Sequence, residues 1–145
     1  MTFSRLFQVL TVLALCISTQ LAVAQSQSES ITAYNAPELE LNGGEKWQID
    51  SEMMTHIRDS EEILRNFIRG NKQNYQALSQ QLTDANTNLI MSCSMTGKAH
   101  DLLHKWLNPH FKLVSELEKA ETDESAEVIV SQLTQSFDLF NRYFR

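Results

Sequence analysis

The sequence predicts an all-α fold, an up-down-up-down antiparallel four-helix bundle, and three observations lead there. From Trp47 onward apolar residues recur at spacings of three and four, the period of amphipathic helices, with no sustained alternation of the kind a strand needs. Turn-forming residues at Gly70-Asn71, Thr96-Gly97 and Glu121-Thr122-Asp123 cut this stretch into four segments. The connections are only a few residues long, so successive helices must lie beside one another and run antiparallel.

The first helix is expected over residues 48–69, with Ile49, Met53, Ile57, Ile63, Leu64, Phe67 and Ile68 apolar. The second, over residues 73–95, carries Tyr75, Leu78, Leu82, Ala85, Leu89 and Cys93 as its stripe. The third, over residues 98–119, places His100, Leu103, Leu107, Phe111, Val114 and Leu117 on one side. Pro109 lies inside it and removes a backbone donor, so a kink or a restart capped by Asn108 is expected. The fourth follows a cap at Thr122 or Asp123, with Ala126, Ile129, Val130, Leu133, Phe137, Phe140 and Phe144 apolar.

Residues 1–24 read as a cleavable signal peptide. Arg5 supplies the positive charge, Leu6 to Leu21 the apolar region, and Ala22-Val23-Ala24 the small-x-small pattern that precedes cleavage. Cys16 raises a lipoprotein alternative, but Leu15 stands where lipoprotein processing wants a small residue. Residues 25–46, rich in Ser, Gln, Asn and Glu and carrying Pro37 and Gly43-Gly44, read as a flexible leader, and residues 47–145 as the bundle domain. The expected location is the periplasm or the medium. No later stretch is apolar for the roughly 20 residues of a membrane span, so membrane insertion of the mature chain is not expected.

The formal net charge is −6, and loss of Arg5 with the signal makes the mature chain more acidic by one unit. That balance argues against nucleic-acid binding and is compatible with a cation or an envelope protein as partner. Oligomeric state is not legible. After cleavage Cys93 is the only thiol, so no internal disulfide can form.

Two blocks, Gly44-Glu45-Lys46-Trp47-Gln48-Ile49-Asp50 and the longer run from Cys93 to Leu107 (Cys-Ser-Met-Thr-Gly-Lys-Ala-His-Asp-Leu-Leu-His-Lys-Trp-Leu), carry a resemblance. In them the chain resembles a group of small exported bacterial proteins of unknown function. The resemblance implies no activity. It does imply that Cys93, Met95, His100, His104 and Trp106 belong together.

Helix register leads to the same grouping. In an antiparallel pair, residues equally far from the turn share a height, so the turn near Gly97 sets Cys93 opposite His100, with His104 one turn deeper on the same face. Counting through the other turns brings Ile49, Asp50 and Met53, and also Phe140, Tyr143 and Phe144, to this end. A thiol, thioethers and two imidazoles form the donor set that selects Cu(I), with zinc as the alternative if Cys93, His100 and His104 converge. The candidate metal ligands are therefore Cys93, His100, His104, Met95 and Met53, with Asp50 or Asp101 as a carboxylate to orient an imidazole.

Structural roles stand beside these. Met53, Met54 and Met91 suit core filling, His56 and His110 suit boundary or solvent-facing positions, and Trp47 and Trp106 suit anchors for the leader and the helix ends. Catalysis is not expected, because no Gly-rich oxyanion loop, nucleotide-binding loop or Cys-x-x-Cys-His accompanies the thiol. The sequence thus reads as an exported bundle binding a soft metal ion for metal handling or sensing. The alternatives are a non-catalytic interaction protein of the envelope and a redox sensor acting through Cys93.

Overall fold

The computed structural model describes residues 34–70 and 74–145. The expected signal peptide, Cys16 and the first part of the leader lie outside the described residues. Four helices follow in order: α1 (Ser51–Arg69), α2 (Tyr75–Met91), α3 (Lys98–Glu118) and α4 (Asp123–Tyr143). Consecutive helices pack as neighbours, and α1 against α4 closes the antiparallel four-helix bundle. Among the described residues no strand forms, and no helix is long and apolar enough to cross a membrane.

Each helix starts where its residues can satisfy free backbone N–H groups. Asp50 caps α1 by accepting from the Glu52 N–H at 2.9 Å, and Asn74 caps α2 by accepting from Ala77. Thr122 and Ser125 cap α4 reciprocally. Gly97 opens α3 without a side-chain bond, at φ 78° and ψ −164°, a backbone region essentially closed to residues with a Cβ.

Two boundaries differ from the expected ones. The second helix stops at Met91, so Ser92 to Gly97 is a connecting loop and Cys93 and Met95 are loop residues. Ser92 turns its hydroxyl back to the Leu89 carbonyl at 3.0 Å, a local bond that competes with helix continuation. The third helix runs through Pro109 without interruption, so the restart at Asn108 does not occur.

The core runs the length of the bundle and contains Met53, Ile57 and Leu64 of α1, Leu78, Leu82 and Leu89 of α2, and Leu133, Phe137 and Phe140 of α4. From α3 it takes Leu103, Trp106, Leu107, Leu113, Val114 and Leu117. Trp106 is no helix-end anchor: it is fully buried and donates its indole N–H to the Ser136 carbonyl at 2.8 Å. His110 is not solvent-facing either. It is 1% exposed, stacked on Trp106 and edge-on to Phe137, with Nδ1 3.1 Å from Ser136 Oγ. Met91, expected in the core, is 80% exposed: the buried face of α2 runs through Leu82, Ala85, Asn86 and Leu89, and position 91 points away from it.

From Tyr34 onward the segment expected to be a flexible leader is tied to the bundle. The Tyr34 hydroxyl donates to Ser136 Oγ, and the Trp47 indole donates to the Glu40 carbonyl. Trp47 N–H donates to Tyr143 O, Arg145 N–H to Trp47 O, and Ile49 N–H to Arg145 O, each at 2.8 Å. These bonds hold the approach to α1 against the end of α4.

Candidate metal centre

Two elements supply the cluster. His100 and His104 occupy successive turns of α3, where residues four apart stack on one face. Their Nε2 atoms are 3.0 Å apart and their rings meet edge to face at 4.4 Å. Cys93 comes from the loop that α2's early end releases, and its Sγ joins the imidazole nitrogens so that the donor atoms of all three lie within 4.8 Å of one another. Cys93 and His100 are half-buried and His104 is exposed, which places the cluster at the bundle surface.

The spacing can be weighed against coordination chemistry. Metal–imidazole bonds of about 2.0 Å and metal–thiolate bonds of about 2.3 Å separate neighbouring ligand atoms by roughly 3.3 to 3.8 Å. At 3.0 Å the imidazole pair is a little closer than that and needs to open by only a few tenths of an ångström. The thiol needs to close by on the order of 1 Å at most, a side-chain movement rather than a refolding. The same His–His contact can instead be an N–H donated to a lone pair.

The other sequence-derived candidates make contacts of their own. Met53 is 1% exposed within the core, surrounded by apolar side chains rather than turned to a surface cluster. Met95 directs its thioether to α1, where Sδ accepts the Asp50 N–H at 3.5 Å. Neither carboxylate orients an imidazole through a hydrogen bond. Asp101 stands 3.8 Å from His100 Nδ1, too far, and is largely exposed. Asp50 is occupied as the α1 cap and as acceptor from Ser94 Oγ at 3.2 Å. His56 is half-buried on α1.

What Asp50, Ser94 and Met95 do is fix the loop. Two bonds at one residue, its N–H donating to Met95 and its carboxylate accepting from the Ser94 hydroxyl, bracket the stretch beside Cys93. At the start of α3, Lys98 pairs with Glu40 at 2.8 Å and lies over the Trp47 ring. The cluster is thus framed by α1's first residues on one side and by the preceding segment on the other. Asp50 shares this end of the bundle, as helix register requires, while its contact with the thioether has no signal in the sequence.

No protein-family model matches the chain, and neither the curated proteins nor the solved structures give a match.

Proposed function

We propose that this is an exported protein that binds a soft metal ion, Cu(I), through Cys93, His100 and His104, and that it handles the ion rather than catalysing a reaction. One observation carries the reading: a thiol and two imidazoles from separate elements converge within 4.8 Å. A thiolate with two imidazoles suits Cu(I), and zinc is the alternative, since three protein ligands and a water also meet its preference for four. Export rests on the signal-like residues 1–24. Under this reading Met53 serves the core and Met95 positions the loop.

Competition against a chelating Cu(I) indicator under reducing conditions tests the proposal. Wild type should withdraw copper from the indicator, and Cys93→Ser should lose most of the affinity, because no other described cysteine can replace the thiolate. His100→Ala and His104→Ala should each lose less, and His56→Ala should match wild type. A wild type that fails to compete, or a Cys93→Ser that competes equally well, overturns the reading. The exposed apolar pair Ile90 and Met91, 58% and 80% exposed, then favours the alternative of an envelope interaction protein.

A further inference from the structure

The arrangement of donors around the cluster bears on how the ion leaves, an inference that rests on the copper reading above. Among the described residues no further His, Cys, Asp or Glu completes the set beyond Cys93, His100 and His104. Of the two methionines expected as ligands, Met53 lies inside the core and Met95 accepts the Asp50 N–H. His104 is exposed, so the ion would present one side to solvent.

We infer that copper held by Cys93, His100 and His104 keeps a coordination position open to solvent, and that the ion is exchanged associatively with an incoming soft donor. The donor class is a thiolate, the strongest soft ligand a polypeptide offers. Its sulfur forms a bond to Cu(I) at the open position before any protein ligand departs. The bond from Cu(I) to His104 then breaks, returning the electron pair to the imidazole, because His104 is the most exposed of the three ligands. Copper remains Cu(I) and no electron is transferred. If the incoming group arrives as a thiol, its proton passes to the freed His104 or to buffer.

Exchange kinetics test this directly. Full-length protein loaded with Cu(I) is mixed in a stopped-flow instrument with glutathione as the thiolate probe, and in a second arm with bicinchoninate, whose colour reports copper capture. The expected result is a transfer rate that rises in direct proportion to acceptor concentration without a plateau. His104→Ala, which leaves two protein donors and more open space, should transfer severalfold faster while Met53→Leu transfers at the wild-type rate. A rate that levels off at a value independent of acceptor means that the ion must dissociate first, and overturns the open position. A His104→Ala variant that transfers at the wild-type rate or slower overturns His104 as the departing ligand. Failure of wild type to load copper at all overturns the parent reading, and is seen before any acceptor is added.

Discussion

His110 Nδ1 lies 3.1 Å from Ser136 Oγ in the sealed seam between α3 and α4, and that pair ties a titratable ring to the core. Trp106 stacks on the ring at 4.8 Å and donates to the Ser136 carbonyl, while the Tyr34 hydroxyl reaches the same Ser136 Oγ. Burial pushes His110 down from its ordinary 6.5 to about 3, since an imidazolium in this apolar seam would lose its hydration. Burial also raises the Tyr34 phenol, which stays neutral, against the smaller opposing effect of its bond to Ser136.

The sign of the resulting pH dependence follows from which state holds the proton. Between 6.5 and about 3 the unfolded chain protonates His110 and the folded one does not, so acidification favours unfolding. The stability gained by burying the neutral ring is fully present above 6.5 and drains away as pH falls through this window. At about 1.4 kcal/mol per pH unit, the loss from this residue reaches roughly 2 kcal/mol near pH 5. Urea denaturation at a series of pH values should show a flatter slope for His110→Gln than for wild type. Equal slopes would assign the acid sensitivity to other groups.

Gly97 should be intolerant of any side chain. Its backbone sits at φ 78° and ψ −164°, although a Cβ there would meet open space. The cost of Gly97→Ala is therefore backbone strain alone, about 1–3 kcal/mol. Gly97→Asn should recover nothing, because Asn tolerates the left-handed helical region and not this one. Thermal melts of both variants measure the effect, and an Ala variant as stable as wild type would mean that the loop relaxes freely.

The bundle was legible because its information is periodic: the threes and fours of Leu78, Leu82 and Leu89, or of Ala126, Val130, Leu133 and Phe137, survive without any knowledge of neighbours. The end of α2 was not. Cys93 continues the stripe in phase, and the chain leaves the helix just before it, where the Ser92 hydroxyl bonds back to the Leu89 carbonyl. His110 was misplaced for a related reason. Position 110 fits the stripe of Leu103, Trp106, Leu107, Leu113, Val114 and Leu117 better than Phe111 does, but a polar ring argues for the surface until a buried partner such as Ser136 is known. The grouping of Cys93, His100 and His104 follows from the resemblance and from turn symmetry, although symmetry sets Cys93 on a helix and it lies in the loop, whereas the contact of Met95 with Asp50 depends on side-chain direction that spacing does not encode.

Phe144 provides the last test, of the join between α4 and the segment leading into α1. Its ring is 1% exposed and stacks on Phe140 at 5.1 Å, and Trp47 pairs with it as an isolated parallel bridge. Phe144→Ala removes that ring from a site whose neighbours are held by backbone bonds between Trp47, Tyr143, Arg145 and Ile49, so collapse around the cavity is restricted. The expected loss is about 3–5 kcal/mol, a large share of the stability of a domain this size. Phe144→Leu keeps most of the apolar volume and should lose less than half as much. Urea denaturation separates the two variants. If Ala and Leu cost the same small amount, the Trp47 pairing stands on its backbone bonds alone and the Phe140–Phe144 stack contributes little to closing this end of the bundle.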